Sequence, residues 1–215
     1  MAETLPMFPL GTVLFPSAVL PLHVFEPRYR ALVEACLAGE PEFGVVLIER
    51  GSEVGGGDVR FDVGTVARIV EAAQLPDGRY VLATVGTQRI RVDAWLTDDP
   101  YPRAEVTRIE EPAVADDVTL ELRRDDVERL LVRVLALRAE LGEPGAGIAA
   151  LRMSGFDVRL DPDPHFASFG AAALAPIGPL DGQRLLELDD PGARLDAVHS
   201  LLADEADVLE LRLRE

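Results

Sequence analysis

A change in hydrophobic period divides this chain more sharply than any other feature. Up to about residue 110, apolar and polar residues alternate in short runs closed by Gly and Pro. From Val118 onward the apolar residues return every three or four positions. A period of two sets one face of a strand against a core, and a period near 3.6 does the same for a helix. The switch falls in Pro112-Ala113-Val114-Ala115-Asp116-Asp117. The chain is therefore expected to be α+β, with a strand-rich domain over 1–114 and a helical domain over 115–215.

The first half reads as a series of short strands. Met7 to Leu10 and Thr12 to Phe15 are apolar runs cut by Pro6, Pro9, Gly11 and Pro16. Phe43 to Ile48 has the near-continuous apolarity of an interior strand. Val63 to Ala72 runs out, Leu75-Pro76-Asp77-Gly78-Arg79 turns, and Tyr80 to Val85 returns. Gly86 is read as a break before Gln88 to Val92, and 102–110 closes the set. Gly51 to Gly57 is a Gly-rich loop without the spacing of a dinucleotide fingerprint. Six to eight strands and one helix fit a small closed or nearly closed barrel.

Between the early strands lies a corner, Leu20-Pro21-Leu22-His23-Val24-Phe25-Glu26-Pro27-Arg28-Tyr29-Arg30. Leu20, Leu22 and Val24 alternate with Pro21 and His23. Pro21 cannot donate to a ladder, which predicts an edge strand or a bulge. Pro27 suits the first position of a helix through Leu37, stopped by Gly39.

In the second half, Val118 to Leu141 carries Val127, Leu130, Leu131, Val134, Leu137 and Leu141 on one face, with a cap expected at Asp116 or Asp117. Gly147 to Leu151 reads as a helical turn, Phe156 to Leu160 as a strand or an extended arm and Asp161 to Pro164 as loop. Helices are expected over Ala167–Ala175, Asp181–Leu188 and Ala193–Leu213. The last has a stripe of Leu195, Val198, Leu201, Leu202 and Leu209.

Composition removes several chemistries. The formal net charge is −17, and all 21 basic residues are Arg. Without lysine there is no P-loop, no Ser-Lys dyad and no Schiff base. A strongly acidic chain is poorly suited to phosphate backbones, so no nucleic-acid partner is expected. Cys36 stands alone in the first helix and reads as a small buried apolar residue. His23, His165 and His199 lack ligand spacing, so neither metal nor cofactor is expected. Ser154 and Ser168 stand outside a nucleophile-elbow motif. Asp157, Asp161 and Asp163 lack a calcium-loop pattern. The acidic N-terminus has no leader-like pattern, and Val13 to Val24 is too short and too broken by Pro16, Pro21 and His23 to span a bilayer. A cytoplasmic protein away from the membrane is expected.

Taken together, Met7-Phe8-Pro9-Leu10, Val13-Leu14-Phe15-Pro16, the corner from Leu20 to Tyr29, Val63 to Ala67, the Leu75 to Tyr80 turn and Gly86-Thr87-Gln88-Arg89 resemble the N-terminal, substrate-binding domain of Lon proteases. Gln183-Arg184-Leu185-Leu186-Glu187 and Arg194-Leu195 extend the resemblance into the helical half. The resemblance implies a PUA-like β-barrel followed by a helical bundle, in a stand-alone form without the ATPase and Ser-Lys peptidase of the full protease. It implies a non-enzymatic module that recognises unfolded or flexible polypeptides, with a separate protease or chaperone as a further partner. The alternatives are a PUA-like RNA-binding module and a small-molecule sensor with a pocket at the barrel mouth.

The peptide-binding candidates are Phe15, Leu22, Phe25, Glu26, Arg28 and Tyr29. Phe8, Trp95 and Tyr101 are further apolar positions whose orientation the sequence leaves open. Glu26 and Arg28 also read as an ion pair that pins the corner, and Tyr29 as an edge-of-core residue with a wetted hydroxyl.

Overall fold

A computed structural model describes residues 3–50, 59–114, 118–143 and 159–214. The expected loop at Gly51–Gly57, the cap at Asp116 or Asp117, the turn at Gly147–Leu151 and the start of the 156–160 arm lie outside the described residues. The fold is mixed α+β. It comprises strands β1 (Glu3–Leu10), β2 (Val19–Val24), β3 (Glu42–Arg50), β4 (Val59–Gln74), β5 (Tyr80–Trp95) and β6 (Arg103–Arg108). The described helices are α1 (Pro27–Ala38), α2 (Val118–Glu140), α3 (Pro164–Leu174), α4 (Pro179–Glu187) and α5 (Pro191–Leu213).

The chain divides into two compact units. One takes residues 1–111 together with 179–187, and the other takes 112–178 and 188–215. The first holds one six-stranded sheet in the order β2-β5-β4-β3-β1-β6, in which β5 also pairs with β6. The pairings β5–β4–β3–β1–β6 therefore return to β5. Two long strands make this circuit. β5 pairs β2 through Tyr80–Val85 and β6 through Ile90–Trp95. The register between β4 and β5 shifts twice, with an extra residue on β5 opposite Thr65–Ala67 and an extra residue on β4 between Ile69 and Glu71, and these bulges bend the pair.

The expected break at Gly86 is a correction, because β5 runs unbroken through it. A Cβ at Gly86 would lie 2.2 Å from the Phe15 carbonyl oxygen, so glycine here admits a crossing backbone without ending the strand. That crossing backbone is the Thr12–Phe15 run, expected as a strand. It is an irregular segment, held by Thr65 Oγ1 donating to the Leu14 carbonyl at 2.6 Å.

The sheet carries apolar side chains on two sides. Phe8, Leu10, Val24, Phe43, Val45 and Leu82 pack with Tyr29, Leu32, Val33 and Cys36 of α1. Met7, Val46, Val66, Ile90, Ala104 and Val106 form a second cluster, with Trp95 half-buried against it. α4 joins this unit through two buried polar side chains. Arg89, 1% exposed, donates to both carboxylate oxygens of Glu111 at 2.7 and 2.9 Å and to the Leu186 carbonyl at 2.8 Å. Gln183 donates to the Val63 carbonyl at 3.1 Å.

In the second unit α2, α3 and α5 pack on one another. Of the expected α2 stripe, Val127, Leu131 and Val134 are buried and Leu130, Leu137 and Leu141 are half-buried, while Leu135, outside that stripe, is buried too; on α5 Leu195, Val198, Leu202 and Leu209 are buried and Leu201 is half-buried. Ion pairs Arg123–Asp196 and Arg133–Glu210 advance together along both helices, so α2 and α5 run in the same direction. α3 and α5 begin alike: Asp163 and Asp190 cap them, each followed at once by proline. Arg194 is fully buried, donates to Ser168 Oγ at 2.6 Å and lies 3.8 Å above the Phe169 ring.

Candidate functional site

The corner from Leu20 to Arg30 shapes a surface groove on the strand unit. β2 is an edge strand, as Pro21 foretold. Its inward residues Leu20 and Leu22 are half-buried and Val24 is buried, while Val19, Pro21 and His23 are exposed. The strand then turns through Phe25 and Glu26 into α1. Pro27 fixes the helix start. Glu26 supplies the extended backbone before it, without a capping hydrogen bond from its side chain.

The Glu26 side chain instead accepts from Arg28 Nε at 3.0 Å, the ion pair expected at the corner. Arg28 also lies 4.5 Å from the centre of the Tyr29 ring, and that ring stacks on Phe8 at 4.1 Å with 9° between planes. A cavity of about 230 Å³ opens beside this stack. β1 contributes Phe8 and Leu10, β2 contributes Pro21 to Val24, and the corner adds Phe25, Glu26 and Tyr29. The volume lies below the roughly 300–1,000 Å³ of small-molecule pockets and suits an inserted side chain better than a cofactor.

Four of the six residues expected at a binding site, Leu22, Phe25, Glu26 and Tyr29, thus line one groove. Phe25 is an exposed apolar wall of it, at 56%. Arg28 stands behind, tied to Glu26. Phe15 is buried and does not line the groove; it lies beneath α4, close to Gly182. Phe8 is buried too, with its ring forming the groove floor. Leu10, Pro21, His23 and Val24 were not expected at the site. Nothing in the spacing of Leu10 ties it to the corner, whereas the other three follow once β2 is known to be an edge.

The turn far along the sequence meets the same corner. Gly78, with φ +81, closes the Leu75–Arg79 turn by donating to the Leu75 carbonyl at 2.8 Å. A Cβ there would lie 2.4 Å from Arg30 Nη2 of α1. Val24 pairs with Tyr80 just beyond. The Phe-Glu-Pro-Arg-Tyr segment and the Leu-Pro-Asp-Gly turn, distant in sequence, therefore build one piece of surface. Among the described residues, no cluster of three or more His, Cys, Asp or Glu is arranged to hold a metal ion. No described helix is long and apolar enough to cross a membrane.

A sheet whose pairings close on themselves and a groove between its edge strand and first helix define a mixed α+β domain that offers an apolar groove at its surface. The family model for the ATP-dependent protease La (LON) substrate-binding domain matches residues 4–204, and the chain belongs to that family. It is 33% identical over 215 residues to Lon protease 2 of Sorangium cellulosum, covering 98% of this chain and 26% of that protein. It is 31% identical over 211 residues to the Lon protease of Anaeromyxobacter dehalogenans, covering 96% of this chain and 24% of that protein. The chain thus spans about a quarter of the length of these relatives. A solved Lon N-terminal domain protein from Xanthomonas campestris superposes with a TM-score of 0.67 at 28% identity, covering 92% of this chain and 98% of the other. The N-terminal domain of Mycobacterium avium complex Lon protease shares the fold, with a TM-score of 0.63 at 19% identity over 94% of this chain and 99% of that one.

Proposed function

We propose that this chain is a non-enzymatic polypeptide-binding module that takes apolar stretches of unfolded or flexible protein into the groove beside Phe8, Leu22, Phe25 and Tyr29. Membership of the substrate-binding family supports a recognition role. The observation that carries the site is the exposure of Phe25 at 56% beside a cavity floored by the Phe8–Tyr29 stack. An apolar wall left in water marks a place where another apolar group gains by burial. With a formal charge of −17, clients that are neutral or basic are favoured over acidic ones.

The same reading treats 1–114 as a PUA-like barrel and 115–215 as a helical bundle, with α4 packed on the strands. The circuit of pairings supports the first part and the shared packing of α2, α3 and α5 supports the second. It places the protein in the cytoplasm, with a separate protease or chaperone as a partner that would act on the captured client. The RNA reading is opposed by the charge, and the groove at the corner, at about 230 Å³, is small for the ligand of a small-molecule sensor.

The test is a titration of a permanently unfolded protein and of short apolar peptides, followed by fluorescence anisotropy. Binding with Kd on the order of tens of micromolar or tighter is expected, weakened in Leu22→Ser and Phe25→Ser. No binding in that range would remove the reading.

A further inference from the structure

The groove has a second kind of wall, made of backbone. Gly86 N–H donates to the Ala18 carbonyl at 2.9 Å and Ser17 N–H donates to the Gly86 carbonyl at 2.8 Å, with Ser17 at φ 65. This bulge fixes which residues of β2 bond to β5. Ala18 faces Gly86, so by alternation Leu20, Leu22 and Val24 face Thr84, Leu82 and Tyr80 in bonded pairs. The N–H and C=O groups of Val19, Pro21 and His23 then point the other way, where no described strand pairs with β2. Val19 is 68% exposed, and Pro21 and His23 are exposed as well.

We infer that the client binds as an extended strand added to this edge, with alternate apolar side chains entering the groove. This rests on the polypeptide-binding reading above. An open edge offers main-chain bonds to any sequence, and the groove then selects side chains at every second position. Because Pro21 has no N–H, the edge presents three carbonyls but only two donors. The N–H groups of the client therefore carry most of the main-chain recognition. Pro21 also disfavours a second copy of this chain as the occupant. A two-fold pairing centred on it would set proline opposite proline, and each copy carries a formal charge of −17. A neutral or basic peptide meets neither obstacle.

The experiment uses a blocked heptapeptide in which leucine, phenylalanine and leucine alternate with threonine, and seven versions each N-methylated at one residue. Strand addition predicts an alternating pattern. Methylation at every second residue weakens binding to the 215-residue chain tenfold or more, and methylation at the residues between leaves it within twofold. Binding of the parent peptide with uniform tolerance of methylation would overturn strand addition and leave the groove standing. No binding of the parent would remove both. A dimer seen by sedimentation that the peptide does not dissociate would give the edge to a second copy and overturn the inference.

Discussion

Cys36 shows how strongly burial sets the chemistry of a single residue. It is 2% exposed within α1, its Sγ lies 3.2 Å from the Glu42 carbonyl, and desolvation pushes its pKa up to about 11. The thiolate is scarce at neutral pH, so a maleimide or disulfide reagent at pH 8 should label the folded protein far more slowly than the denatured one. Equal rates would show that the thiol is accessible. Glu42 is the opposite case. Burial acts to raise its pKa, but hydrogen bonds and charges from Arg108 and Arg68 outweigh this and hold the carboxyl below its ordinary range. Arg108 also binds Glu3 at 2.5 Å, so the network ties β1, β3, β4 and β6. A depressed carboxyl pKa means the folded state binds its proton less readily than the unfolded chain. The stability it confers is therefore present above the unfolded value, near 4.3, and is lost as pH falls through the lower folded value. Glu42→Gln should cost about 1–2 kcal/mol at pH 7, and the gap should close on acidification towards pH 3 in denaturant titrations. A gap independent of pH would contradict this.

At the scale of the element, close backbone approach decides where glycine is required. A Cβ on Gly64 would lie 2.2 Å from the Val45 carbonyl oxygen on the neighbouring strand, whereas one on Gly170 in α3 would meet nothing nearer than 3.8 Å. Gly64→Ala should destabilise by about 2–4 kcal/mol, and Gly170→Ala should stabilise by about 0.5–1 kcal/mol through helix propensity. Thermal unfolding of the two variants reads both signs. Such contrasts explain what was legible in the sequence. Helices α2 and α5, the edge position of β2 and the Asp77-Gly78 turn follow from local rules of spacing, proline and turn chemistry. The continuity of β5 through Gly86 and the burial of Phe15 do not, because both depend on a segment some seventy residues away crossing that strand. The groove was half legible for the same reason. Leu22, Phe25, Glu26 and Tyr29 sit within one short corner, but the Phe8 and Leu10 that complete it arrive through sheet pairing.

For the whole molecule, the proposed reading concentrates recognition on one corner of the strand unit, and Leu211 on α5, exposed at 60%, is not among the residues that line that groove. Scattered apolar exposure is ordinary on a protein surface, whereas an apolar wall next to a cavity and an open strand edge is not. The two kinds of site can be compared in one measurement. A photoreactive benzoyl-phenylalanine placed at Phe25, or separately at Leu211, is irradiated in the presence of a labelled, permanently unfolded polypeptide. Strong crosslinking from position 25 and background crosslinking from position 211 is the predicted result; no crosslink from position 25, or equal yields from both, would contradict the groove as the place where clients bind.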